Sequence, residues 1–382
     1  MGLIKYKMNL IFDLEATQPN ASGKRHGGGR YAEAIFFRMI ELGVKFSCFY
    51  DSSKWISTDI VNLCTKHEIP LYDIQKSSIE NIVKQNNIDR LYSAIPGELA
   101  KLTCCEVVGT IHGLREFELP FDSYFFKYKT NIKDLLKFAI KKLFKKQYQN
   151  YKRRHYIDNF INSPFHFLTV SEHSYYAFLS YFPELKDKGL KVFYSPNTSL
   201  KIAAEKKNDT EKYFLLVSGN RWEKNNLRAI IAFDRLVSDK LISGVKMKVT
   251  GAKVNNFRYH IRNPEMFDFL GYVSDEALNS LYVNSFLLVY PSLNEGFGYP
   301  PIEAMRYKVP VIASPFTSMA EICDNGALYF NPFSVEEIMG RMLMMMDEQR
   351  HAEYSQRGYE QYLKIKKRQE KDLDSLIEYI LT

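Results

Sequence analysis

The sequence predicts an α/β protein of two domains, each built on a mainly parallel sheet. Three observations carry that prediction. The chain has 382 residues, and at roughly 150 residues per domain that length suggests two domains. Short apolar runs alternate with helical stretches along most of it. A polar, charged stretch, "NTSLKIAAEKKNDTEK" at 197–212, interrupts the alternation before it restarts.

In order, the first half offers the strands "MNLIFDL", "VKFSCFY", "RLYSAI", "CEVVGTIH" and "HFLTVS". The second half begins with "YFLLVSG", a helix from about Asn225 to Ser238, "VKMKVTG" and "MFDFLGYV". A helix at 275–284, "FLLVYPS", a helix from Pro301 and "PVIAS" follow, and "LKIKKRQEKDLDSLIEYILT" reads as a C-terminal helix. The expected boundaries are 1–197 for the N-terminal domain, 198–364 for the C-terminal domain and 365–382 for a helix crossing back to the first. Two α/β domains of similar size imply a cleft between them, where ligands usually bind.

Composition narrows the class. Hydrophobic residues make up 46% and charged residues 25%, an ordinary globular balance. Five cysteines, Cys48, Cys64, Cys104, Cys105 and Cys323, include no C-x-x-C pair. That pattern argues against a disulfide framework or a structural zinc site and fits a reducing compartment. The sequons at Asn20, Asn197 and Asn208 then carry no meaning. The N-terminus, with Lys5 and Lys7 among its apolar residues and Tyr6 where a myristoylation motif wants Ser or Thr, reads as neither signal peptide nor acylation site. A cytoplasmic protein is expected, peripheral on the inner face of the membrane.

The charge is concentrated. Net charge is +8, yet residues 127–154 hold eleven Lys and Arg against one acid, Asp134, so this segment carries +10 and the remainder −2. Ile132, Leu135, Leu136, Ala139, Ile140, Leu143 and Phe144 follow helical spacing, while Lys133, Lys137, Lys141 and Lys145 form a separate i, i+4 stripe. A basic amphipathic helix suits an anionic membrane surface; the alternative is a helix packed on its own domain with a solvated lysine face. No nucleic-acid motif accompanies the run.

The most informative stretch is "PSLNEGFGYPPIEAM", residues 291–305. It reads as strand, glycine loop and helix start, with Pro300 and Pro301 suited to a first turn that needs few donors. Free N–H groups and the helix dipole favour anions there. Glu303 is expected in the first turn, as a dipole-stabilising carboxylate or a ribose ligand, and Glu295 in the loop. "SGNRWEKNN" at 218–226 follows another strand, so Arg221 and Lys224 should stand at the same sheet end. Two cations beside two loops of N–H donors make a pyrophosphate site that needs no metal.

With "VPVIAS" after it, this Glu-x₇-Glu pattern resembles glycosyltransferase family 4, densely from Tyr213 to about Asn331 and more sparsely in the N-terminal half. The resemblance implies the GT-B fold, two Rossmann-like parallel-sheet domains facing a central cleft. It implies that Glu303 holds the ribose of a nucleotide-sugar donor. Glu295 and the amides of Gly296, Phe297 and Gly298 would face the transferred sugar and distal phosphate. Arg221 and Lys224 would neutralise the departing diphosphate, and Tyr272 and Val273 would line the base.

In the N-terminal half, "GGGRYAEAIF" is similar to the family's glycine loop, assigning Gly28 and Gly29 to the donor or acceptor side. His112 matches a family histidine near the donor sugar, although Gly113 stands where Asp is common. The implied activity is a retaining, metal-independent hexosyl transfer from a nucleotide-sugar to a hydroxyl of a glycan or lipid-linked acceptor, in surface polysaccharide assembly. No cofactor is expected. The rival readings are a sugar-nucleotide epimerase or glycan phosphorylase of the same architecture, and a non-catalytic membrane-docking protein that binds nucleotide-sugars.

Overall fold

The structure, a computed structural model, describes residues 8–19, 27–128, 131–196 and 211–382. The linker stretch 197–210, the three sequons, Lys5, Tyr6, Lys7 and Lys129 lie outside the described residues. By internal packing the chain forms two units. One comprises residues 1–113, 150–198 and 368–382, the other residues 114–149 and 199–367.

The first unit holds a seven-stranded sheet of β1 (Leu10–Asp13), β2 (Ser47–Tyr50), β3 (Leu71–Asp73), β4 (Arg90–Ser93), β5 (Glu106–Thr110), β6 (Phe165–Thr169) and β7 (Lys191–Val192). The order is β3-β2-β1-β4-β5-β6-β7, and every pairing is parallel. The central strands are buried on both faces, which is why "LIFD" and "EVVGT" read as nearly continuous apolar runs. The strand order reverses between β1 and β4, opening a crevice at their carboxyl ends.

Asp13 ends β1 in that crevice, buried, with its Oδ2 accepting from the Ser93 hydroxyl at the end of β4 (2.6 Å) and its Oδ1 from the Glu15 N–H (2.8 Å). Burial raises this carboxyl from the ordinary 3.8 to about 7, against the lowering effect of those hydrogen bonds. Because the folded protein holds the proton more tightly than the unfolded chain, the associated stability is full below pH 3.8 and is lost as pH rises through about 7. The full change corresponds to roughly 4 kcal/mol. Asp13→Asn should therefore flatten the dependence of the melting temperature on pH between 4 and 8. Identical profiles for the two proteins would contradict this.

The second unit holds β8 (Lys212–Leu216), β9 (Val245–Thr250), β10 (Phe267–Gly271), β11 (Leu287–Tyr290), β12 (Val311–Ala313) and β13 (Ala327–Tyr329). They form a parallel six-stranded sheet in the order β10-β9-β8-β11-β12-β13. Its reversal falls between β8 and β11, which pair Leu287 with Phe214 and Leu288 with Leu215. The helix Asn226–Ser238 lays Leu227, Ile230 and Phe233 onto this sheet, where they join Phe214, Val249 and Val289 in one core.

The basic segment corrects the expected domain map. The sequence reading places residues 127–154 in the N-terminal domain, but residues 114–149 pack with the second unit and 150–154 with the first. A buried ion pair explains the attachment. Both Arg228 Nη atoms donate to Asp122 (2.7 and 2.8 Å), and the guanidinium lies 3.6 Å from the centre of the Tyr124 ring. The Tyr128 hydroxyl accepts from the Leu227 N–H at the start of the same helix (2.6 Å). The expected single basic helix is two, Ile132–Leu143 and Lys145–Tyr156, broken at Phe144.

The C-terminal helix runs unbroken from Glu348 to Leu381. Its residues 368–382 belong to the first unit, where Leu376, Ile377 and Ile380 are buried. Arg90, itself buried, donates there to the carbonyls of Tyr379 (3.2 Å) and Ile380 (2.9 Å). Tyr194 N–H donates to Asp372 (2.9 Å).

Candidate functional site

The sheet reversal in the second unit brings together the two loops the sequence singled out. After β8 a short 3₁₀ turn, Trp222–Lys224, turns the Lys224 side chain inward, where it is buried. After β11 the loop carries Glu295 to meet it. Lys224 Nζ donates to Glu295 Oε1 (2.5 Å) and to the Tyr290 hydroxyl (3.0 Å). The same Oε1 accepts from the hydroxyls of Tyr290 and Ser292, both at 2.6 Å.

Burial acts to raise the Glu295 carboxyl, but the charge and hydrogen bond of Lys224, with the two hydroxyls, hold it below its ordinary value. Burial lowers the Lys224 ammonium, with Glu295 opposing and Arg221 assisting. The two side chains face each other at 2.5 Å, largely withdrawn from solvent, the setting in which fixed charges act most strongly on a ligand.

Arg221 stands at the mouth of this pocket, about half exposed, with Nε (2.9 Å) and Nη2 (2.6 Å) both on Glu223 Oε1. Arg115 reaches the same oxygen from the segment 114–149, at 3.6 Å. Sequence reasoning missed Glu223, which holds Arg221, and Arg115, a third cation at this turn. "TIHGLRE" displayed Arg115, but nothing in the linear pattern ties it to a loop more than a hundred residues on. The neighbouring Glu118 accepts from the Asn294 side chain at 3.2 Å.

The glycine loop is held from β12. Glu295 N–H donates to Thr317 Oγ1 (2.9 Å), and Ser318 Oγ donates to the carbonyls of Glu295 (3.1 Å) and Phe297 (2.9 Å). Ser218, Asn225 and Thr317 take left-handed φ of 58°, 57° and 53°. That conformation is costly for a β-branched threonine and gathers where function constrains backbone. Gly298 caps the helix Tyr299–Arg306 at φ 103°, and a Cβ there would lie 2.6 Å from Met319 Sδ. The methionine could yield; the backbone angle could not without strain.

Glu303 is the fifth residue of that helix, two residues deeper than expected and past the first turn, because Tyr299 and Pro300 already lie inside the helix. It is buried. Tyr272, 64% exposed, and the half-buried Val273 follow β10 at the edge of the same sheet, at the same carboxyl end. Arg221, Lys224, Glu295, Gly296, Phe297, Gly298 and Glu303 thus share one unit and flank one strand reversal.

The remaining expected residues lie in the first unit. Gly28 and Gly29 open the helix Gly27–Glu41, and a Cβ on Gly29 would sit 2.8 Å from the Ala16 carbonyl oxygen. The close approach that Gly29 permits is thus made to the chain's own backbone. His112 follows β5 and donates Nε2–H to the Ala94 carbonyl (3.0 Å), with the Tyr31 ring edge-on at 4.9 Å.

The family model "Glycosyl transferases group 1" matches residues 198–361, the span that carries the Lys224–Glu295 pocket. The chain is 38% identical over 128 residues to the O-antigen chain mannosyltransferase RfbU of Salmonella typhimurium, which is 33% of this chain and 36% of the relative. The match thus spans about a third of the relative's length. A glycosyltransferase from Rickettsia africae shares the fold over 99% of this chain and all of its own, with TM-score 0.66 at 14% identity. Anabaena HepE, solved in complex with UDP and glucose, does so over 97% and 99%, with TM-score 0.62 at 14% identity. Residues 198–361 thus match the group 1 glycosyl transferases, and the chain shares its fold along its length with solved glycosyltransferases.

Proposed function

We propose that the protein is a retaining hexosyltransferase that moves a sugar from a nucleotide-sugar donor to a hydroxyl of a glycan or lipid-linked acceptor in surface polysaccharide assembly. The observation that carries this is the buried Lys224 at the strand reversal, beside a glycine loop that feeds a helix N-terminus. An ammonium has three donors, and among the described residues two are used, by Glu295 and Tyr290. The third is the one a diphosphate oxygen would take. Arg221 would swing from Glu223 onto the same diphosphate, and the amides of Gly296, Phe297 and Gly298 would complete the cradle.

The chemistry follows from where charge develops. As the glycosidic bond breaks, the sugar becomes oxocarbenium-like and negative charge grows on the diphosphate. Lys224, held by Glu295 and Tyr290, would stabilise that charge in place, and Arg221 would join it after leaving Glu223. Glu295, its Oε1 occupied by Lys224 and two hydroxyls, would turn Oε2 toward the sugar. Glu303 would take the ribose, and Tyr272 and Val273 the base. Gly28, Gly29 and His112 would serve from the first unit. RfbU is named a mannosyltransferase of the O-antigen chain, which favours a mannosyl donor.

Melting-temperature shifts against a panel of UDP-, GDP-, ADP- and dTDP-sugars test the reading. At about 100 times its Kd a selective donor stabilises the fold by about 2.7 kcal/mol. A nucleotide-mannose should give the largest shift, and Glu303→Ala should abolish it along with the shift from the free nucleoside diphosphate. No shift with any nucleotide would defeat the proposal. Donor conversion without acceptor would point instead to an epimerase.

A further inference from the structure

The helix Ile132–Leu143 carries apolar side chains on two opposite faces. Phe138 faces inward and is buried, stacked on Phe125 (4.0 Å, 7°) and edge-on to Trp222 at 5.8 Å. At about 100° per residue, Leu136 and Ile140 lie roughly 200° around the helix from it. That outer face is bare: Ile132 is 70% exposed, Leu136 57%, Ile140 57% and Leu143 78%, with Phe144 exposed just beyond.

A row of four large aliphatic side chains left in water is unusual for a surface helix, since burying them would be stabilising. The row is flanked by charge of one sign. Lys133 and Lys137 line one side, Lys142 the other, and Lys141, Lys145 and Lys146 follow; all six are exposed. Asp134 is the lone acid of the helix. Had the apolar stripe packed on its own domain, only a solvated lysine face would remain. The structure shows the reverse, with Phe138 alone buried on the protein and the stripe turned outward.

We propose that this face docks on an anionic lipid surface, its aliphatic row entering the headgroup–acyl boundary while the lysines meet lipid phosphates. Charge complementarity selects this occupant: a second copy of the chain would set six lysines against six lysines. Among the described residues no helix is long and apolar enough to cross a membrane, so the contact is peripheral. The inner aromatic face of the same helix rests on Trp222, between Arg221 and Lys224, so the lipid-facing element and the donor-side turn belong to one unit.

Co-sedimentation with vesicles tests this without requiring activity. The protein should pellet with phosphatidylcholine vesicles containing phosphatidylglycerol, less so as salt is raised, and remain in solution with phosphatidylcholine alone. Lys133→Gln with Lys137→Gln should weaken partitioning about 30-fold, at about 1 kcal/mol for each lysine. Leu136→Asp with Ile140→Asp should abolish it with the melting temperature unchanged, since both residues are exposed. Equal pelleting on both vesicle types, or none on either, would overturn the proposal. Self-association lost in the Asp variant, without vesicle binding, would overturn it in favour of a second copy.

Discussion

Lys224→Ala should lower kcat/KM by about 2–4 kcal/mol, a factor of roughly 30 to 1,000, the scale measured when one preorganised stabiliser of transition-state charge is removed. The same substitution should also destabilise the protein. It leaves the Glu295 carboxylate, among the described residues, with the Tyr290 and Ser292 hydroxyls but no cation on Oε1, and breaking a buried pair costs about 3–5 kcal/mol. Combining Lys224→Ala with Glu295→Gln separates the two effects, because it removes the stranded charge. Melting temperature should then recover toward wild type while transfer stays low. A Lys224→Ala enzyme that turns over within twofold of wild type would remove Lys224 from the diphosphate. The pair also sets a pH window. Glu295 lies below its ordinary value, so its contribution is present above about pH 4.5 and fades as pH falls through its folded value. Burial lowers Lys224 below 10.5, so activity should decline on the alkaline side earlier than a free lysine would dictate.

Arg228→Ala or Asp122→Ala should cost about 3–5 kcal/mol, since each leaves a charge unpaired where both partners are almost fully buried. For a unit of this size the melting temperature should fall by roughly 10 °C. The loss is specific in place as well as size. Asp122 is bound bidentately by Arg228, so either variant frees the segment 114–149 from the sheet unit and should expose it to proteolysis. Replacing both at once, Arg228→Met with Asp122→Leu, removes both charges and should restore much of the stability. Single variants within 1 kcal/mol of wild type, with the segment still protected, would show that other contacts hold it.

The parallel α/β architecture was legible because buried strands of parallel sheets are apolar on both faces, and runs such as "FLLVY" need no partner to be recognised. The strands that escaped notice, Leu71–Asp73, Lys191–Val192 and Ala327–Tyr329, are two or three residues long and lie at sheet edges, where neither length nor burial leaves a pattern. Lys224 and Glu295 were legible as loop residues following strands, a local property. That they neutralise each other was not, because their pairing depends on which strands are adjacent. Glu223 and Arg115 were missed for the same reason. The packing of residues 114–149 with the second unit was not legible: Asp122 and Arg228 stand 106 positions apart, and no spacing rule reaches so far. The helix Ile132–Leu143 was read correctly as amphipathic, but its period could not say which apolar residues turn inward. A single phenylalanine, Phe138, decides that.

The C-terminal helix has a consequence for biosynthesis. The first unit closes only when residues 368–382 reach it, because the Arg90 guanidinium ends on the carbonyls of Tyr379 and Ile380 and the Tyr194 amide on Asp372. On the ribosome, the half that is made first must therefore wait, incomplete, until residues 368–382 have emerged. The later-made sheet, which needs nothing beyond residue 367 and only the earlier 114–149 insertion, can mature before it. Order of synthesis and order of completion are reversed in this chain.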